Sequence, residues 1–137
     1  MYLVDANIFL EPELDQHRAE ECASFLRLVR DGHISGFVTN LIVDSIVLIM
    51  EDKNKGPKDI LKFLASLLAY KSLQIYDLTL SDKIQATETM EAHRLDFDDS
   101  TTYQAMKRLG ITQIVSYDKH FDRLPNIKRL QPTSIKH

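Results

Sequence analysis

Tyr2-Leu3-Val4-Asp5-Ala6-Asn7 is a run of three apolar residues that stops on an acid and an amide. The apolar triplet predicts a short buried strand, and Asp5 marks its carboxyl end. A carboxylate there is costly unless it is paired, protonated or bound to a cation. Three other acids stand against apolar runs in the same way. Asp44 interrupts Leu41-Ile42-Val43 and Ile46-Val47-Leu48-Ile49-Met50, Asp99 follows Leu95-Asp96-Phe97-Asp98 at the start of a helical pattern, and Asp118 follows Ile114-Val115-Ser116-Tyr117.

Working outward from that first strand, the chain alternates strands and helices. Asp5-Ala6-Asn7 leads into a short turn or helix limited by Pro12, and the spacing of Ala19, Cys22, Ala23, Leu26 and Val29 predicts a helix over 17–30. A strand follows over 36–38. Thr39 or Asn40 then caps a helix from Leu41 to about Asp52, apolar nearly all round and so expected to be buried. Pro57 suits the first position of a helix reaching about Tyr70. A strand over 72–76, a helix capped by Thr79 or Ser81 and running to about Arg94, and a helix capped by Asp98 and ended by Gly110 come next. Strands over 114–117 and 127–130, the last at an edge, complete the pattern. The alternation predicts one α/β domain spanning residues 1–137, a three-layer α/β/α arrangement with a mostly parallel central sheet flanked by helices. In such sheets, sites form at the carboxyl ends of strands. Asp5 and Asp118 fall at two such ends, Asp44 one turn inside the helix after the second strand, and Asp99 in the first turn of a helix.

Composition narrows the function classes. A chain of 137 residues with 44% hydrophobic and 27% charged residues is long enough for one real core. The single Cys22 permits no internal disulfide. The longest apolar stretch, over 37–50, is interrupted by polar residues and is too short to span a bilayer. A soluble, cytoplasmic protein is expected. Residues 1–52 hold three Lys or Arg against ten Asp or Glu, whereas residues 53–137 hold fourteen against ten, within a net charge of −3. Two bound divalent cations would bring that total to about +1, so the acidic balance does not exclude a polyanionic substrate.

Each acid alone has a plain structural use. Asp5 can cap the next turn, Asp99 can favour a helix start, and Asp118 can belong to a turn. Asp44, set among aliphatic residues, is the hardest to dismiss. No pair of histidines among His17, His33, His93, His120 and His137 has the spacing of a zinc motif, so solvated or core roles are expected for them. There is no cysteine cluster, Gly-rich phosphate loop or Gly-x-Ser-x-Gly elbow. Carboxylate oxygens select Mg²⁺ or Mn²⁺ over softer ions.

The segments Leu3-Val4-Asp5-Ala6-Asn7, Asp99 before Tyr103-Gln104-Ala105-Met106-Lys107-Arg108-Leu109-Gly110, and Ile114-Val115-Ser116-Tyr117-Asp118-Lys119-His120-Phe121 together resemble the PIN-domain nucleases. The resemblance covers almost the whole chain and is strongest to the small single-domain VapC-type toxins of prokaryotic toxin–antitoxin pairs. It implies metal-dependent hydrolysis of RNA phosphodiesters. Asp5, Asp99 and Asp118 would hold one or two Mg²⁺ or Mn²⁺ ions, and Asp44 would orient a water. Asn7 and Ser116 would support the carboxylates, and Asp122 would match an additional acid that some members carry. Lys107, Lys119 and Arg123 would contact flanking phosphates. An antitoxin partner and a homodimer are also implied. Two departures stand out: Asp44 replaces the usual glutamate, and Ser100 follows Asp99 where alanine is common. Two other readings remain open. One is a PIN-like protein-binding module with a weak or inactive site. The other is a haloacid-dehalogenase-type phosphatase, although its motif wants an acid where Asn7 stands.

Overall fold

The N-terminal apolar triplet forms the middle of the sheet. The computed structural model describes residues 1–135. Its elements run β1 (Tyr2–Val4), α1 (Ala6–Glu13), α2 (Ala19–Arg30), β2 (Gly36–Thr39), α3 (Asn40–Asp52), α4 (Pro57–Leu67), β3 (Leu73–Tyr76), α5 (Leu80–His93), α6 (Phe97–Leu109), β4 (Gln113–Val115) and β5 (Lys128–Leu130). A 3-10 turn over Lys119–Arg123 separates the last two strands. The strand order is β3-β2-β1-β4-β5 and every pairing is parallel. Strands with both faces covered read as continuous apolar runs. Accordingly Leu3, Val4, Ile114 and Val115 are all fully buried.

From β1 the chain winds outward through β2 to β3, then crosses back to the other side of β1 to form β4 and β5. Right-handed crossovers therefore put the helices before β3 on one face and α5 and α6 on the other. The helix contacts agree: α1 packs on α2 and α3, and α5 packs on α6. The reversal leaves a crevice beyond the carboxyl ends of β1 and β4, the place where open α/β sheets bind ligands.

Local chemistry sets the element ends. The Thr39 hydroxyl accepts the Ile42 N–H at 3.0 Å and starts α3. Thr79 and Asp82 form a reciprocal capping box at the start of α5. Gly110 ends α6 with φ 70°, a left-handed conformation that favours glycine. At Gly36, an added Cβ would lie 3.1 Å from Val29 and 3.3 Å from Val4, so the missing side chain lets α2 and β1 close on β2.

Several boundaries differ from expectation. Pro12 lies inside the last turn of α1, where it removes one i→i−4 hydrogen bond, and the helix ends one residue later at Glu13. Helix α2 begins at Ala19 rather than His17, because the Arg18 N–H bonds to the Glu11 carboxylate at 3.0 Å. Helix α4 stops at Leu67, three residues short of Tyr70. Asp96, not Asp98, caps α6, accepting the Asp99 N–H at 2.8 Å. Strand β4 ends at Val115, so Ser116 and Tyr117 lie beyond it.

The largest correction concerns α3, which buries only the stripe Ile42, Ile46 and Met50. Leu48 on α3 and Leu61 and Leu68 near α4 are 62%, 66% and 90% exposed, making an apolar outer face. A second polar feature stabilises the opposite layer. Asp82 is buried and accepts from Tyr76 at 2.6 Å, from the Thr79 N–H at 3.0 Å and from Arg108 at 2.9 Å. Burial pushes its carboxyl up, but these donors outweigh it and hold the pKa at about 2.

Candidate metal centre

Ser116, the first residue past β4, joins the two sides of the crevice. Its hydroxyl donates to Asp5 Oδ2 at 2.5 Å and accepts the Asp118 N–H at 2.9 Å. The Asn7 amide donates to Asp5 Oδ2 at 3.2 Å and to Ser116 Oγ at 3.3 Å, and its carbonyl accepts the Tyr117 N–H at 3.4 Å. The other Asp5 oxygen accepts the Ala6 N–H at 2.8 Å, capping α1. Asp5, Asn7 and Ser116 thus form one network between loops that are more than a hundred residues apart in sequence.

Asp99 enters from the first turn of α6. It is 8% exposed, and capping by Asp96 fixes its backbone. Burial, followed by the charges of Asp96, Asp118, Asp5 and Asp98, pushes its pKa from 3.8 to about 8. Burial also raises Asp5 to about 6; the Ser116 and Ala6 bonds oppose the rise, and the charges of Asp98 and Asp118 add to it. Like charges crowded in a poorly solvated crevice disfavour ionisation, and a cation reverses that balance.

The tightest donor group contains one oxygen of Asp99, one oxygen of Asp118 and one ring nitrogen of His120, all within 4.8 Å of one another. His120 Nδ1 lies 3.2 Å from Asp118 Oδ1 and 3.6 Å from Asp99 Oδ2. Asp5 stands beside this group, coupled to it through Ser116. Hard oxygen donors with one imidazole fit a divalent cation of the Mg²⁺ or Mn²⁺ kind.

Two sequence expectations do not match these surroundings. Asp44 is exposed, on the outer face of α3 with Leu48 and away from the buried stripe Ile42, Ile46 and Met50; among the described residues it takes no part in the hydrogen bonds or charge contacts of the acids. The α3 side chain that reaches the site is Ser45, whose hydroxyl lies 3.5 Å from Asp98. Asp122 is turned into an ion pair with Arg129, at 2.9 and 3.1 Å. It is linked to the centre through Arg129, which also donates to the Ser116 carbonyl at 3.2 Å.

The basic residues are dispersed. Lys107 lies over the Tyr103 ring at 4.8 Å, Arg123 donates to the Arg94 carbonyl at 2.9 Å, and Lys119 is exposed. His120 is exposed, as a solvated role requires, and its ring nitrogen also lies beside Asp118 and Asp99. Its spacing two residues after Asp118 was the available signal, which a search for paired histidines passes over. Asp98, adjacent to Asp99, was visible only as a presumed cap. His137 lies outside the described residues.

The PIN domain family profile matches residues 2–127. Similar solved structures include VapC20 of Mycobacterium tuberculosis, described as a Sarcin-Ricin loop cleaving toxin; it is 17% identical, with 89% of this chain and 93% of that chain covered and a TM-score of 0.73. VapBC2 of Rickettsia felis, bound to a DNA fragment from its promoter, is 16% identical over 95% of this chain and 97% of that chain, with a TM-score of 0.70. A toxin–antitoxin complex from Klebsiella pneumoniae is 10% identical over 96% and 98%, also with a TM-score of 0.70. At these identities the likeness is one of fold. No curated protein sequence matches the chain. Among the described residues, no helix is long and apolar enough to cross a membrane.

Proposed function

This chain belongs to the PIN domain family, and from that premise we propose that it is a divalent-metal-dependent endoribonuclease, the toxin of a toxin–antitoxin pair. The observation that carries this reading is the convergence of Asp5, Asp99 and Asp118 at the reversal point of the sheet, with two carboxyls held above their ordinary range. Asp99 and Asp118 would hold Mg²⁺ or Mn²⁺, with Asp5 beside them. When bound, the ion supplies charge neutralisation at the scissile phosphate and acidifies water. Ser116 and Asn7 orient the Asp5 carboxylate, a role typical of residues that support metal ligands. Asp96 orients Asp99 by fixing its backbone N–H. Asp44 lies outside this machinery.

An antitoxin and a second copy of the chain are part of the same proposal. The toxin–antitoxin complexes among the structural neighbours support the first, and the exposed leucines of α3 and α4 provide apolar area for either contact. Cytoplasmic action follows from an RNA substrate. The exposed position of Asp44 favours one competing reading, a binding module with a weak site.

Purified protein free of any antitoxin is expected to cleave RNA with Mg²⁺ or Mn²⁺ and to stop on addition of EDTA. Asp5→Asn is expected to lose at least about 100-fold in rate while keeping its circular dichroism spectrum. Tight Mn²⁺ binding without any cleavage would favour the binding module. Absence of both would overturn the nuclease.

A further inference from the structure

We infer that His120 is a metal ligand, adding one imidazole nitrogen to the carboxylates of Asp99 and Asp118 and shifting the site's preference from Mg²⁺ toward first-row transition ions such as Mn²⁺. The inference rests on the metal-dependent reading above and goes beyond it by naming a nitrogen donor and its effect on ion choice.

Three features of the turn after β4 aim the ring. The His120 N–H donates to Asp118 Oδ1 at 2.9 Å, so ring and carboxylate share one tight turn. Phe121, the next residue, is fully buried and anchors the turn to the core. The Asp118 N–H is held by Ser116, which is itself bound to Asp5. The Nδ1 atom therefore lies beside oxygens of both Asp118 and Asp99, at 3.2 and 3.6 Å, although the side chain is 56% exposed and free to point elsewhere.

Those separations suit donors around one ion. In octahedral geometry with bonds of about 2.1 Å, adjacent donors lie about 3.0 Å apart and opposite donors about 4.2 Å apart. The three atoms, all within 4.8 Å of one another, need only small shifts to meet that geometry. A neutral imidazole can ligate through Nδ1 while Nε2 keeps its proton toward solvent. Mg²⁺ holds its waters and takes carboxylates, whereas imidazole favours the transition ions. An alternative role for His120 is a counter-ion that a metal displaces. It predicts the opposite result, because removing His120 would then strengthen binding of both ions or leave it unchanged.

The test is pulsed electron paramagnetic resonance of the Mn²⁺-loaded protein, together with calorimetric titration of Mn²⁺ and Mg²⁺ into wild type and His120→Ala. Nitrogen modulation on the Mn²⁺ signal is expected in wild type and absent in the variant. The variant is expected to bind Mn²⁺ about tenfold more weakly while changing little toward Mg²⁺. Bound Mn²⁺ without nitrogen modulation in wild type, unchanged modulation in the variant, or an equal change for both ions would overturn the inference. RNA cleavage in the presence of such a result would leave the nuclease standing and remove only the histidine. Failure of wild type to bind Mn²⁺ at millimolar concentration would overturn both.

Discussion

The Ser116 hydroxyl donates to Asp5 Oδ2 at 2.5 Å, across 111 positions of sequence. This bond makes the ends of β1 and β4 a single structural unit. It is also the strongest of the forces that oppose the upward push of burial on the Asp5 carboxyl.

Ser116→Ala is therefore expected to destabilise the fold by about 1–2 kcal/mol, since it removes the donor to Asp5 and the acceptor of the Asp118 N–H. It also raises the Asp5 pKa further. Chemical denaturation measures the first effect, and carbon-detected NMR titration of the carboxyl measures the second. A downward shift of Asp5 would contradict this account of the network.

Stability of the metal-free protein is expected to fall as pH rises. The folded-state pKa of Asp99, about 8, lies above its ordinary 3.8, and that of Asp5 is about 6. Between those limits the folded state keeps protons that the unfolded chain has released. The stabilisation is fully present below 3.8 and declines as pH rises, its loss being complete for Asp5 above about 6 and for Asp99 above about 8. Divalent metal reverses the trend, because it binds the ionised carboxylates. Melting temperatures at pH 5 and pH 8, with and without Mn²⁺, check both signs.

Asp44→Ala is expected to keep cleavage within about tenfold of wild type, a barrier change of about 1.4 kcal/mol or less. Its exposed place on α3 and its absence from the acids' contacts motivate this. A loss as large as that of Asp5→Asn, in single-turnover assays, would restore Asp44 to the reacting group.

Ser100→Ala is expected to stabilise the protein by about 1 kcal/mol. Ser100 is fully buried and, among the described residues, its hydroxyl has no hydrogen-bond partner, so the polar group is desolvated without compensation from them. Thermal unfolding of the variant measures the gain, and a drop in melting temperature would show that the hydroxyl is satisfied.

Much of this was legible because the determining patterns are local. Tyr2-Leu3-Val4 before Asp5 reads as a buried strand ending on a site, and Thr39, Thr79 and Gly110 punctuate helices by their own chemistry. What escaped depends on direction in space. Asp44 and Ser45 are adjacent in an aliphatic run, and only the packing of Ile42, Ile46 and Met50 decides which of them faces Asp98. Asp96 and Asp98 are equivalent caps on paper, and the extended backbone at Asp96 selects it. His120 gains its neighbours from a turn whose shape depends on Phe121 reaching the core.

The placement of β1 between β2 and β4 also bears on how the molecule comes into being. Pairing β1 with β4 closes a loop of more than a hundred residues, the kind of distant parallel contact that slows folding. The half of the chain from β1 to β3 can pair first, with Asp5 still solvated and an ordinary acid. Only when β4 docks does Asp5 meet Ser116, and with it the whole centre. A molecule in which β4 has not docked therefore carries every acid and none of the site, and whatever chemistry the crevice performs depends on that one long-range contact.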